Sequence, residues 1–317
     1  MEQCACPLCG QDRTDLYRVG RDRAYGTPGH FELVRCRDCR LVYLNPRPAE
    51  DEIDDLYPPD YGSHQVVRSR LGRLQRIDVG YGMSKRARFV ERHLGTRGYA
   101  LDVGCGTGEF LLELRARGWR VVGQEISDYA AQVAGEAGLD VRTSRLDRCG
   151  FESQSFDLVT LWDVVEHLHD PLSVLREIRR ILKPSGLLVL STPDIDSPDS
   201  RIFAGWWHGL EIPRHLVLFG PETIAQALEC AGFQTVERKY ISGSYHVRLL
   251  SLQAFIRDLP VPEPARRALL TLAGLPLWRL ASWPIFRLLE RAGIGPVMTI
   301  AARKANTEQT SRINIRP

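Results

Sequence analysis

Apolar positions along this chain follow two spacings that alternate. Ala100, Leu101 and Val103 lie close together, as in a strand buried on both faces, and Phe110, Leu111 and Leu114 then repeat at helical spacing. The same switch recurs downstream. It predicts strands near 99–103, 119–124, 139–142, 156–161, 186–191, 234–241 and 296–303, and helices near 108–117, 127–137, 171–182 and 221–231. Such alternation predicts an α/β fold with a doubly wound, mostly parallel, seven-stranded sheet. A helix over 84–94, with Ala87, Val90 and Leu94 on one face, precedes the first strand.

The first strand runs into Gly104, Gly106 and Gly108 at alternate positions. Glycines in a strand-to-helix turn let a ligand approach the backbone closely. A pyrophosphate-binding turn wants G-x-G-x-x-G, whereas here the third glycine comes one residue early and Glu109 follows it, facing a phosphate badly. Asp102 suits a cationic group, and Glu125, closing the second strand, suits a ribose. An aminoacyl nucleoside without phosphate, S-adenosylmethionine, meets all three requirements.

With these residues the chain resembles the class I S-adenosylmethionine-dependent methyltransferases. Ser155-Phe-Asp-Leu-Val-Thr-Leu-Trp162 is similar to their fourth strand, Asp163-Val-Val-Glu-His167 to the segment after it, and Leu182-Lys-Pro-Ser-Gly186 to the turn before the fifth. The resemblance implies a Rossmann-like fold and methyl transfer to a nucleophilic oxygen, nitrogen or carbon. It implies cofactor contacts from Asp102, Gly104, Gly106, Gly108, Glu125 and Asp163. In place of the acid the family commonly sets near the adenine, the run is Ser144-Arg-Leu-Asp147, so Leu146 and Asp147 are the candidates there. Acid-x-x-Glu-His resembles the segment with which ubiquinone-pathway O-methyltransferases and small-RNA 2′-O-methyltransferases hold a divalent metal. It offers Asp163, Glu166 and His167 to Mg²⁺ if one helical turn aligns them, with His215 a further candidate. Otherwise His167 is a general base near its ordinary pKa of about 6.5.

Cys6-Pro-Leu-Cys9 and Cys36-Arg-Asp-Cys39 supply four thiolates, enough for one structural zinc, and Cys4 is out of register. Val42-Tyr-Leu-Asn-Pro-Arg-Pro48, then Tyr57 and Tyr61, resembles a branch of the family in which a cysteine-ligated module leads into the catalytic domain. The expected organisation is a zinc module over 1–48, a linker and lid over 49–83, a methyltransferase domain over 84–303 and a disordered tail over 304–317.

Two stretches bear on the acceptor. The segment after the fifth strand carries Thr192-Pro-Asp-Ile-Asp196, Trp206-Trp-His208 and Pro213-Arg-His-Leu-Val-Leu-Phe219. His215 is a catalytic candidate beside His167, whereas His208 reads as a solvated loop residue. Apolar pieces over 245–292 predict a helical insert before the last strand, a cap over an acceptor pocket or a bilayer-surface patch. Arg279, Gly274, Pro276 and Pro284 argue against a membrane span.

Composition narrows the partners. A net charge of +3 over 317 residues, without a basic block, predicts no nucleic-acid partner even beside a zinc knuckle. Eight cysteines and no apolar leader predict a reducing, cytoplasmic setting. The expected partner is a small-molecule acceptor, O-methylated in preference to C-methylation of a sugar nucleotide. The competing class is a catalytically silent cofactor-binding module that docks a partner. Oligomeric state is left open.

Overall fold

A computed structural model describes residues 1–53, 56–57, 72–241 and 244–305. Tyr61, with residues 54–55 and 58–71 of the expected linker, and the tail from 306 lie outside the described residues.

The chain opens with β1 (Thr14–Gly20), β2 (Phe31–Cys36) and β3 (Val42–Leu44). There follow α1 (Arg73–His93), β4 (Tyr99–Val103), α2 (Glu109–Ala116), β5 (Arg120–Gln124), α3 (Asp128–Glu136), β6 (Val141–Arg142), β7 (Phe156–Trp162), α4 (Pro171–Ile181), β8 (Leu182–Pro193) and α5 (Pro198–Phe203). The last part holds β9 (Val217–Leu218), α6 (Pro221–Cys230), β10 (Phe233–Lys239), α7 (Ser244–Arg257), α8 (Glu263–Ala273), α9 (Pro276–Arg291) and β11 (Val297–Lys304).

Among the described residues the strands form two sheets. The larger has seven strands in the order β10-β11-β8-β7-β4-β5-β6. Strands β4 to β8 pair in parallel, and β11 runs antiparallel to both its neighbours. The order turns back on itself between β4 and β7, the place where open α/β sheets take their ligands. Continuous apolar runs in β7 and β8 are buried on both faces, as a parallel sheet covered by helices demands. The expected turn at Leu182-Lys-Pro-Ser-Gly186 is absorbed as a bulge at the start of β8, where Phe156 pairs with Leu182 but Leu158 with Leu187.

The smaller sheet has the order β1-β2-β3-β9. Its fourth strand comes from the segment after β8, so the N-terminal strands and that segment share one sheet. One apolar cluster accordingly runs from Leu33 and Tyr43 through Phe219 to Leu101 and Val159. Helix α1 starts at Arg73, inside the stretch expected as linker. Gly80 and Gly82 weaken its helical signal, and packing of Ala87, Phe89 and Val90 onto the sheet overrides that weakness. No helix among the described residues is long and apolar enough to cross a membrane.

Candidate active site

The glycine turn is fixed by its own conformation and by β5. Gly104, Gly106 and Gly108 have φ of +66°, +54° and +81°, a region L side chains rarely enter. A Cβ on Gly104 would meet Val164 at 2.6 Å, and one on Gly108 would meet Leu139 at 2.3 Å. The Gly106 N–H donates to Glu125 Oε2 at 2.7 Å, while Glu125 Oε1 accepts from Ile126 and Ser127 N–H, each at 2.9 Å. Glu125 is therefore tied to the turn and buried at the end of β5. Asp102, one residue from the end of β4, accepts the Thr160 hydroxyl at 2.5 Å. Burial pushes its carboxyl up to about 7, with Thr160 and Arg86 opposing and Glu125 adding to the rise.

At the end of β7 the chain turns sharply. Asp163 has φ +58°, accepts from Ser191 Oγ at 2.8 Å and pairs with Arg86 of α1 at 3.1 Å. The Arg86 guanidinium also covers the Trp162 ring, 4.5 Å from its centre. Residues 165–167 then form a single 3₁₀ turn. The turn carries Glu166 inward and sends Asp163 outward.

Glu166, His167 and His215 each place a ligand atom within 4.8 Å of the other two. Glu166 is fully buried and both its carboxylate oxygens lack a hydrogen-bond partner among the described residues. Burial first, then the charge of Asp163, lifts its pKa well above the ordinary 4.5. His167 Nδ1 lies 3.1 Å from the Arg214 carbonyl and 3.0 Å from the Tyr57 hydroxyl. A carbonyl only accepts, so Nδ1 carries the proton and Nε2 keeps its lone pair. The same argument applies to His215, whose Nδ1 lies 2.9 Å from the Gly209 carbonyl. The two rings meet edge to face, their centres 4.6 Å apart. Burial is the main cause that lowers both to about 3, with His215 adding to the shift of His167, so both are neutral near pH 7.

In the N-terminal module, Cys6 Sγ lies 3.4 Å from Cys39 Sγ, and Cys9 Sγ lies 3.5 Å from Cys36 Sγ. All four sulfurs fall within 4.8 Å of one another. Four thiolates around one tetrahedral zinc stand about 3.8 Å apart, so the set fits that ion. Each pair is followed by a left-handed residue, Gly10 at φ +72° and Arg40 at φ +68°, whose N–H returns to the carbonyl of Cys6 or Cys36. Cys4 stands apart, its N–H held by Asn45 Oδ1 at 3.1 Å.

The methyltransferase-domain family matches residues 76–238, just over half of the chain. The chain belongs to that family. The ubiquinone biosynthesis O-methyltransferase of Hahella chejuensis is 37% identical over 111 residues, which are 33% of this chain and 46% of that one. The enzyme of the same name from Ruegeria pomeroyi is 32% identical over 169 residues, 47% of this chain and 67% of its own. The chain spans about half the length of most of the curated relatives it matches. A solved SAM-dependent methyltransferase from Archaeoglobus fulgidus is 22% identical, with a TM-score of 0.49, covering 71% of this chain and 94% of that one.

The methyltransferase domain gathers Asp102, the three glycines, Glu125 and Asp163 at one edge of the sheet. Leu146 is buried in a 3₁₀ turn beside that edge, while Asp147 is exposed and nearest Arg145 at 3.7 Å. Three expectations need correction. Asp163 does not join Glu166 and His167, because their segment is a 3₁₀ turn with a left-handed start rather than an α-helical one; His215 completes the cluster instead. His167 does not titrate near 6.5, because burial and His215 depress it. His208 is not a solvated loop residue: its N–H donates to Ser251 Oγ of α7 at 2.9 Å, and burial lowers its pKa. Sequence reasoning also missed Arg86, Arg214 and Ile126. Ile126 is 63% exposed beside Glu125; an apolar residue directly after an acid that closes a strand was the available signal.

Proposed function

We propose that this methyltransferase transfers a methyl group from S-adenosylmethionine to a hydroxyl oxygen of a small-molecule acceptor. The observation that carries the proposal is the glycine turn held by the end of β5, with Gly106 N–H bonded to Glu125 Oε2 and Gly104 N–H to Gln124 Oε1. When bound, the cofactor supplies a methyl group activated on a sulfonium. Glu125 accepts the ribose hydroxyls, Gly104 and Gly106 admit the methionine portion, and Asp102 balances its ammonium from behind the turn. Asp163 and Gly108 complete that wall, and Leu146, Asp147 and Ile126 flank the adenine.

The acceptor lies against His167 and His215, which present neutral Nε2 lone pairs to its hydroxyl. A hydroxyl oxygen that had gained a methyl group would be a far stronger acid than the parent hydroxyl. A weakly basic imidazole can then take the proton late. The names of the curated relatives favour oxygen as the nucleophile, with C-methylation of a sugar nucleotide the alternative. Cys6, Cys9, Cys36 and Cys39 hold a structural zinc. The test is transfer of labelled methyl from S-adenosylmethionine into a small-molecule fraction of cell extract. Cofactor binding without any transfer would make the chain a silent docking module.

One observation favours a second reading of the acceptor side. The buried Glu166 carboxyl, whose oxygens have no hydrogen-bond partner among the described residues, and one ring nitrogen each of His167 and His215 form a candidate donor set for a divalent cation, Mg²⁺ being the one the resemblance implies. Activity lost in EDTA and restored by Mg²⁺ supports it, whereas full activity after exhaustive chelation rejects it.

A further inference from the structure

The segment 214–218 is gripped from two sides. On one side, the Glu166 carbonyl accepts from Leu216 N–H at 2.8 Å and the Arg214 carbonyl accepts from His167 Nδ1 at 3.1 Å. On the other, Leu44 N–H donates to the Leu216 carbonyl at 2.9 Å, and β3 pairs with β9 through Val42–Leu218 and Tyr43–Val217. The centre of the grip is Arg214, whose side chain is fully buried. Its Nη2 donates to Asp22 Oδ1 at 2.7 Å and its Nη1 to Asp22 Oδ2 at 3.0 Å. Its Nε donates to Glu211 Oε1 at 3.3 Å, and Nη1 also reaches the Leu56 carbonyl at 3.2 Å. The guanidinium covers the Tyr25 ring, 4.6 Å from its centre.

Asp22 belongs to the N-terminal module and is itself immobilised. Its Oδ1 accepts from Ala24 and Tyr25 N–H at 2.9 and 3.0 Å, and its Oδ2 from Thr27 N–H and hydroxyl at 3.1 and 2.6 Å. Burial works to raise its pKa, but Arg214 and the Thr27 hydroxyl outweigh it and hold the carboxyl well below the usual carboxylate range. A bidentate pair of this kind sets orientation as well as proximity. Both faces of the carboxylate meet donors, so an amide at position 22 would turn an N–H toward one of them.

We propose that Asp22 and Arg214 are positioning residues: the N-terminal module, through this buried pair, fixes the backbone carbonyl that sets the tautomer and tilt of His167, and with it the Nε2 that faces the acceptor. The inference rests on placing the acceptor at His167. The module is then a working part of the acceptor site, reached without touching cofactor. The neighbouring links agree, since Arg47 Nη1 donates to the His169 carbonyl at 2.8 Å and His169 Nε2 to the Pro48 carbonyl at 2.9 Å.

The test is Asp22→Asn in the full chain, read by nitrogen-15 NMR of the histidine side chains and by calorimetry with S-adenosylhomocysteine. The expected result is loss, or at least tenfold faster exchange, of the His167 Nδ1–H signal, with cofactor affinity within threefold of the parent. A folded Asp22→Asn protein with an unchanged His167 signal overturns the proposal, as does an equal loss of cofactor affinity. If Asp22→Asn does not fold, Arg214→Lys, which keeps the charge and the backbone carbonyl but removes the bidentate fork to Asp22, decides by the same readout. Failure of the parent protein to bind S-adenosylhomocysteine would count against the methyl-transfer reading and leave the His167 measurement independent.

Discussion

A carboxyl group can be fitted to a cation in two ways, by exposure to it or by being held in waiting. Asp102 is of the second kind. Buried in β4 with Thr160 as its one hydrogen-bond partner among the described residues, it sits at about 7 rather than near 4. A folded-state pKa raised above the unfolded value contributes stability at low pH, and that contribution is lost as pH rises from about 4 through about 7. The ammonium of a bound S-adenosylmethionine would favour the charged form and draw the pKa down. Cofactor binding at pH 6.5 is therefore expected to release a fraction of a proton, measured as a dependence of calorimetric enthalpy on the buffer's ionisation enthalpy, and to lose that release in Asp102→Asn. Equal enthalpies in all buffers would contradict this role. His167 shows the same physics in the other direction, since burial strips it of charge and leaves a hydrogen-bonding lone pair in place of a ready base.

At the scale of elements, the cysteine knuckles make the sharpest prediction. Cys39→Ser is expected to abolish zinc binding and lower the melting temperature by about 5 °C or more. Zinc-free protein with an unchanged melting temperature would contradict it. How legible these elements were follows from the range of the interactions that set them. The β4, α2 and β5 boundaries were readable because burial on both sheet faces and the glycine turn are local signals. The start of α1 was not, since Gly80 and Gly82 mask it and packing restores it. Nor was β9, two residues long, whose only reason to be a strand is β3, more than 170 residues earlier. The same holds for the site. Glu125 and the glycines were evident from spacing, and the cysteine pairs from their repeat. Arg214 was not, because a buried arginine is recognisable only once Asp22 is beside it. The place of Asp163 was misjudged because helical spacing was applied to a 3₁₀ turn.

Over the whole molecule, an N-terminal module, a sheet and helix α7 meet around the segment that follows β8. Helix α7 reaches that segment through Arg248, which pairs with Asp199 at 2.6 Å, and through Ser251, which receives His208 N–H. Arg248 also covers Phe286 of α9, 4.5 Å from its ring centre. Phe286→Ala is accordingly expected to impair turnover several-fold more than cofactor binding. The side chain of Trp278, on the same helix, lies outside the described residues. Leu272, Ile285 and Leu288 are 60%, 58% and 64% exposed on α8 and α9. Flotation with liposomes that Leu288→Ser abolishes would replace the pocket reading with a bilayer-surface one. The central claim, that the edge of the sheet at Glu125 is a S-adenosylmethionine site, is tested most directly by calorimetry of S-adenosylmethionine with the parent protein and with Glu125→Ala. One-to-one binding that weakens at least tenfold in the variant, about 1.4 kcal/mol or more, is the predicted result. Absence of binding to the parent, or equal affinity for both proteins, would contradict it.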